Sequence, residues 1–186
     1  MTYNEVIAKR ILDLCNARGI AINKLASMSG VNQSTVDNIV RGVSRNPRIM
    51  TLHKIAYGLN MTVSEFLDFK EMNEMTFEED SAEDDEQEKV TSDPINMREE
   101  NKKVRVMDTI QAVKNRILRL CEEHGLTINA LATVSALPPS SVKNILYGKS
   151  QNPKLLTIKM ICDGLGITLG EFFNTSEFND LEQEVK

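Results

Sequence analysis

The side chains that most often carry catalysis or bind metals are few and scattered in this chain. Its two histidines, His53 and His124, lie beside no nucleophile pattern, and the sequence has no glycine-rich phosphate loop. The cysteines form no Cys-x-x-Cys pair, and no set of cysteines and histidines has the spacing of a metal site; the cysteines are Cys15, Cys121 and Cys162. Each falls among apolar helical positions, where a thiol packs as a small apolar side chain. We therefore expect no enzyme activity, no metal and no cofactor.

Charge is distributed unevenly along the 186 residues, whose formal net charge is −5. Residues 1–70 carry nine Lys/Arg and five Asp/Glu, whereas residues 71–105 carry five and thirteen. The acidity therefore lies in the middle of the chain and does not exclude a nucleic-acid partner for the flanking regions. The run EEDSAEDDEQE at 78–88 is too polar to bury. We predict an acidic flexible linker over 71–107, which serves either as a spacer or as an acidic mimic of DNA.

Apolar runs are short throughout the sequence. None approaches the roughly 18 residues of a membrane span, and the first residues lack the apolar stretch of a signal peptide. We therefore expect a cytoplasmic protein with no membrane partner.

An internal duplication organises the chain. Shifting the sequence by 106 positions superimposes residues 6–68 on 112–174 without a gap, and 26 of the 63 pairs are identical. A period of this length is that of whole domains. We predict two domains, copy one (1–70) and copy two (108–178), followed by an acidic tail at 179–186.

Each copy shows the signals of five short helices and no period-two alternation, which predicts an all-α fold. Capping boxes at Thr2-x-x-Glu5 and Asp108-x-x-Gln111 predict the start of the first helix in each copy. Gly19 is suited to end that helix in copy one. The next two helices of copy one are expected near 22–29 and 33–41. A fourth is expected from Thr51 to Gly58, with Gly164 ending its counterpart in copy two, and a fifth after the capping boxes at Thr62 and Thr168.

The second and third helices carry a pattern with a steric rationale. Two helices that meet at about 90–120° need a small contact residue, which Ala26 supplies, and a turn residue that tolerates positive φ, which Gly30 supplies. Leu25, Val36 and Ile39 are expected to fill the angle between the helices. The same positions in copy two are Leu131, Ala132, Ala136, Val142 and Ile145.

With these residues the sequence resembles the helix-turn-helix family of phage lambda repressor and Cro, often called the XRE family. The resemblance also rests on the loops Gly42-x-Ser44-x-Asn46-Pro47 and Gly148-x-Ser150-x-Asn152-Pro153 and on the helix that starts Thr51-Leu52-x-x-Ile55-Ala56. It covers both copies. It implies two five-helix lambda-repressor-like domains, each with its third helix in the major groove of double-stranded DNA.

Carried over position by position, the resemblance assigns base reading in copy one to the third helix. Amides of Gln and Asn can bond adenine N6 and N7 in a bidentate manner, and a serine hydroxyl can donate or accept. The implied base-reading residues are Gln33, Ser34, Thr35 and Asn38 in copy one, and Ser140, Ser141 and Asn144 in copy two.

The resemblance also implies phosphate contacts around the loop after this helix and at the start of the second helix, where backbone amides are free. Those residues are Asn23, Arg41, Arg45 and Arg48 in copy one, and Asn129, Lys149 and Lys154 in copy two.

Copy two departs from this pattern. Pro138-Pro139 stands where copy one has Asn32-Gln33, and Ala136 replaces the turn glycine, at a cost of about 1 kcal/mol if φ is positive there. Copy two therefore reads a different half-site, binds DNA with little specificity, or pairs with protein.

The leading hypothesis is a sequence-specific transcriptional regulator. The alternative is a protein-interaction module, antitoxin-like or scaffold, in which copy two or both copies do not read DNA. The linker is long enough to let one chain reach two successive major grooves as a pseudo-dimer without an interface between the copies, and a homodimer is the other arrangement left open.

Overall fold

The computed structural model describes residues 2–75 and 98–183, and within them the all-α prediction is confirmed. Copy one has the five predicted helices and one extra turn of helix. The side chain of Met72 in that turn is buried in the core. The helices of copy one are α1 (Tyr3–Ala17), α2 (Ile22–Ser29), α3 (Gln33–Val40), α4 (Ile49–Gly58), α5 (Val63–Leu67) and α6 (Lys70–Asn73).

Copy two repeats this order. Its helices are α7 (Arg98–Glu123), α8 (Ile128–Val134), α9 (Pro139–Leu146), α10 (Leu155–Leu165), α11 (Leu169–Phe173) and α12 (Ser176–Gln183). Phe178 of α12 is buried and packs edge-on against Phe173, with ring centroids 5.0 Å apart. Phe178 is the last residue of the predicted second domain, and α12 continues from there into the predicted tail.

The predicted start of the first helix is correct in copy one and wrong in copy two. Thr2 and Glu5 form the predicted capping box. Asp108, by contrast, lies well inside α7, which begins at Arg98. No glycine or proline occurs from 98 to 123, so nothing in the sequence stops the helix from extending past that box. Both α6 and the start of α7 thus fall in the range predicted as linker, and the acidic run at 78–88 lies outside the described residues.

The expected helix-turn-helix packing is present in both copies. Leu25 and Ala26 of α2 and Val36 and Ile39 of α3 are all buried in the core. The turn residue Gly30 has φ 60°. The equivalents of these four buried residues are also buried in copy two, namely Leu131, Ala132, Val142 and Ile145.

Gly58 has a role other than the predicted helix stop. It lies in the last turn of α4, and a Cβ there would be 2.2 Å from Ser29 Oγ and 2.9 Å from Ser29 N. The left-handed position beyond α4 belongs instead to Asn60, with φ 52°, and beyond α10 to Gly166, with φ 69°. Gly164 likewise lies within α10, where a Cβ would be 2.6 Å from Val134 O. Glycine is required at both positions because α4 crosses α2, and α10 crosses α8, too closely for a Cβ.

The two copies also pack against each other, which the reach of the linker alone does not require. The backbone of Ile49 donates to Pro153 O at 3.1 Å, and the backbone of Leu155 donates to Pro47 O at 3.0 Å. These bonds exchange when each residue is shifted by 106 positions, which is the mark of a pseudo-twofold axis. The axis passes between Arg48 and Lys154, which form an antiparallel bridge.

Asparagine side chains add to this contact between residues 46–50 and 152–156, which we call the seam. Asn152 Oδ1 accepts from Met50 N at 3.2 Å, and Asn46 Oδ1 accepts from Leu156 N at 3.3 Å. Each asparagine therefore caps the fourth helix of the other copy, since neither α4 nor α10 has a cap bond from its own N-cap side chain.

A second contact joins α5 to α11. Ser64 Oγ donates to Gly170 O at 2.9 Å, and residues 64 and 170 are equivalent in the repeat. A Cβ on Gly170 would be 2.7 Å from the side chain of Asp68. Gly170 therefore lies too close to Asp68 of copy one to carry a Cβ.

Candidate nucleic-acid interface

Helix α3 of copy one has an apolar face in the core and a polar face in solvent. Val36 and Ile39 are buried, while Gln33, Ser34 and Asn38 are exposed. The helix start is held by the Asn32 carbonyl, which accepts from Thr35 N at 3.0 Å and from Val36 N at 3.3 Å. Thr35 is half-buried on the same helix. The four predicted base-reading residues of copy one thus lie within two turns of one helix, and three of them are exposed.

Helix α9 of copy two has the same register. It begins at Pro139, which is equivalent to Gln33, and the Pro138 carbonyl accepts from Ser141 N at 2.9 Å. Ser140 and Asn144 are exposed and Ser141 is half-buried, as their counterparts are. The predicted base-reading residues of copy two therefore occupy equivalent places on an equivalent helix.

The loops after α3 and α9 share one conformation. Gly42 and Gly148 have φ 73° and 76°, values that favour glycine. Ser44 N donates to Asn38 O at 3.0 Å, and Ser150 N donates to Asn144 O at 2.8 Å. Each loop is thus folded back on the end of its third helix, which holds its side chains in a fixed position beside that helix.

Predicted phosphate-binding cations lie on both loops and meet at the seam. Arg41, Arg45 and Arg48 are exposed in copy one, and Lys149 is exposed in copy two. Lys154 is half-buried, and its backbone pairs with that of Arg48. The pseudo-twofold axis therefore places one cationic residue from each loop, Arg48 and Lys154, side by side along the backbone.

The two asparagines at the start of the second helices are exposed but differ in surroundings. Asn23 Oδ1 accepts from Lys24 N at 2.7 Å, and α2 has no side-chain cap bond. In copy two, Thr127 Oγ1 accepts from Ala130 N at 3.1 Å and so caps α8 just before Asn129. The start of α8 is thus less open to an anion than the start of α2.

Two exposed apolar side chains lie on the loops, at positions where the sequence repeat has Tyr147 in place of Arg41 and Lys149 in place of Val43. Val43 is 67% exposed and lies between Arg41 and Arg45, and Tyr147, the counterpart of Arg41, is 68% exposed. The sequence indicates these two positions because the two copies carry different residues there, and not because they share one.

Sequence reasoning also missed the cross-copy role of Asn46 and Asn152. The available signal was an Asn-Pro pair, repeated at the same offset, directly before a helix that has no capping residue of its own.

Near the seam, His53 Nδ1 lies 3.3 Å from Thr109 Oγ1 of copy two. Burial lowers the pKa of His53 to about 4, so this side chain is neutral at pH 7 and adds no charge to the surface.

Elsewhere the described residues offer little chemistry. The three cysteines are buried and unbridged, as predicted. Across 2–75 and 98–183, no three His, Cys, Asp or Glu side chains come together in a way that could hold a metal ion. No helix in these ranges has the length and hydropathy needed to cross a membrane.

Comparison with known proteins agrees with this geometry. Residues 10–71 and 116–177 match the model of the Cro/C1-type HTH DNA-binding domain. The chain is also 39% identical over 64 residues to the HTH-type transcriptional regulator SlrR of Bacillus subtilis (strain 168). That match covers 34% of this chain and 42% of the relative, so the chain spans less than half of that protein. No solved structure matches. The two matched regions lie one in each copy and together cover most of the chain, which therefore belongs to the Cro/C1-type helix-turn-helix family.

Proposed function

We propose that the protein binds double-stranded DNA in a sequence-specific manner and regulates transcription. The observation that carries this proposal is the exposure of the polar faces of α3 and α9 while the hydrogen bonds between the copies run through the Asn-Pro loops, α4, α5, α10 and α11. In this family the third helix enters the major groove, and here both third helices are left available.

Base reading by copy one follows from its side-chain chemistry. Gln33 is the first residue of α3, and the N-terminal residues of a recognition helix are those that reach base edges. Its amide and that of Asn38 can each pair with adenine N6 and N7, and Ser34 and Thr35 supply hydroxyls. In copy two the corresponding groups are Ser140, Ser141 and Asn144.

Affinity comes from the cations around these helices. Arg41, Arg45, Arg48, Lys149 and Lys154 can neutralise phosphates and release counterions, a term that does not depend on sequence. Asn23 and Asn129 would add hydrogen bonds to phosphates at the start of α2 and α8. Arg48 and Lys154, one from each copy, are adjacent along the backbone at the axis.

The paired copies would act as an intramolecular pseudo-dimer. Homodimers of helix-turn-helix domains place two recognition helices about 34 Å apart, one turn of DNA. Here the seam supplies the twofold arrangement within one chain. Since Gln33 is matched by Pro139, the two half-sites are expected to differ, which gives an asymmetric operator.

The test is selection of bound duplexes from random DNA by the full chain, with stoichiometry measured by light scattering. We expect one chain per duplex and an enriched site of two unlike halves about 10 base pairs apart. A negative control carries Asn38→Ala and Asn144→Ala, which remove two proposed base-reading amides and leave the buried faces of α3 and α9 intact. Absence of any enriched sequence would contradict the proposal and would favour the protein-interaction alternative.

A further inference from the structure

Copy two keeps the backbone geometry of copy one at the start of its third helix, although the residues differ. Pro138 has φ −57° and ψ 135°, and its counterpart Asn32 has φ −59° and ψ 136°. A proline at the first helical position is compatible with a helix because the amide there has no intrahelical partner. The prolines therefore change the surface of α9 and leave its course unchanged.

The turn before α9 keeps the same geometry at a cost. Ala136 has φ 51°, close to the 60° of Gly30, although alanine is disfavoured there. Strained backbone of this kind persists only where the surrounding structure holds it. Copy two is thus held in the shape that presents its third helix, with a different set of side chains on it.

Pro139 stands at the position from which Gln33 would read a base, and it is exposed. Its ring has no hydrogen-bond donor or acceptor, and proline has no backbone N–H. The feature of a base edge that an apolar group can recognise in the major groove is the C5-methyl group of thymine. Pro138 beside it is exposed and apolar as well.

We propose that Pro139 contacts thymine methyl groups, so that copy two reads its half of the site by apolar contact where copy one uses amide hydrogen bonds. This inference rests on the proposed function. Ser140 and Asn144 supply the polar contacts of the same helix, and Pro139 sets which base pair is accepted at its N-terminal end.

The experiment replaces each thymine of the selected site, one at a time, by deoxyuridine, which removes the C5-methyl group alone. The half read by copy one is identified as the half where Gln33→Ala relaxes discrimination. In the other half, we expect at least one replacement to weaken binding of the full chain about fourfold, the equivalent of one methylene group removed from water.

Two variants make the assignment specific to Pro139. Pro139→Gln should abolish the sensitivity to that methyl group and make adenine the preferred base there, moving the selected site toward a palindrome. The reciprocal change, Gln33→Pro, should create methyl sensitivity in the half read by copy one. Circular dichroism and thermal melting should show both variants folded, since each residue suits the first helical position.

The possible results distinguish a failure of this inference from a failure of the proposed function. A wild-type chain that selects a site but tolerates deoxyuridine throughout the half read by copy two would overturn the role of Pro139 alone. Methyl sensitivity that persists in Pro139→Gln would also overturn it. A chain that selects no site at all would contradict the proposed function and this inference together.

Discussion

Copy one and copy two are two versions of one backbone that carry different surfaces. Their third helices start at equivalent residues, and their following loops close with the same hydrogen bonds from Ser44 and Ser150. Yet the exposed groups at the start and end of those helices are Gln33 and Arg41 in one copy, and Pro139 and Tyr147 in the other. The comparison teaches that packing constrains the buried positions while the exposed positions have diverged.

The copies also differ where the chain leaves one and enters the other. His53 of α4 and Lys159 of α10 are equivalent residues. His53 lies against Thr109 at the start of copy two, whereas Lys159 Nζ donates to Met75 O, 3.3 Å away, at the end of copy one, and pairs with Asp163. The pseudo-symmetry is therefore broken near the connection between the copies, where Met75 contacts copy two and Thr109 contacts copy one.

The largest expected effect concerns the close helix crossings. Gly164→Ala would bring a Cβ within 2.6 Å of backbone Val134 O, so we expect a loss of about 3 kcal/mol in the free energy of unfolding. Gly58→Ala should cost less, because the nearest backbone atom to its Cβ, Ser29 N, is 2.9 Å away, whereas Val134 O is 2.6 Å from a Cβ on Gly164. Urea unfolding would measure both, with Ser27→Ala at an exposed position of α2 as control. Equal losses would show that the two crossings are equally rigid and would remove this difference between the copies.

Base reading is the next contrast. Gln33→Ala should weaken binding to the selected site by about 1–3 kcal/mol and relax discrimination at one or two base pairs, because a bidentate amide contact is lost. Titration of labelled duplexes, specific and random, would measure both quantities. Asn16→Ala, an exposed amide on α1, serves as the control. If Gln33→Ala lowers affinity for specific and random DNA equally, then Gln33 does not read a base.

The seam should respond equally from both sides. Asn46→Ala and Asn152→Ala each remove one cap from a helix of the other copy, so each should cost about 1 kcal/mol of stability. Thermal melts of the two single variants and of the double variant would test this. A marked inequality between the single variants would mean that the seam is symmetric in geometry but not in energy.

The turn residues offer a reciprocal exchange. Ala136→Gly should stabilise the protein by about 1 kcal/mol, and Gly30→Ala should destabilise it by a similar amount, because both positions have positive φ. Both changes can be measured by chemical denaturation of the full chain. Stabilisation by Gly30→Ala would contradict the argument from backbone strain.

The smallest effect concerns single phosphates. Arg45→Ala should weaken binding similarly across sequences and reduce the slope of log affinity against log salt by about 1. Lys70→Ala, which removes an exposed charge of α6 paired with Glu74, is the matched control and should leave the slope unchanged. An unaltered slope in Arg45→Ala would place that arginine away from DNA. Its counterpart Gln151 carries no charge, so copy two should show no such effect at that position.

Much of the fold and of the candidate site could be predicted from local pattern. The spans of α2 and α3 and the capping boxes at Thr2, Thr62 and Thr168 follow from residue types a few positions apart. Helix starts were less predictable: α4 begins two residues before Thr51, because its cap is supplied by Asn152 from the other copy. The exposure of Gln33 and Asn38 was predictable, since an amphipathic helix of known register has only one polar face.

The sequence by itself determined the duplication, the helical class and the polar character of the third helices, because these depend on composition, spacing and neighbours along the chain. Only the tertiary structure decided how the copies are arranged. Asn46 and Leu156 lie 110 positions apart, and their bond exists because folding aligns the two Asn-Pro loops about one axis. The need for glycine at Gly58, Gly164 and Gly170 has the same origin, since what excludes a Cβ at each is an atom of another helix or of the other copy. Local propensity cannot encode such contacts, because they depend on which surfaces the completed domains bring within reach of each other.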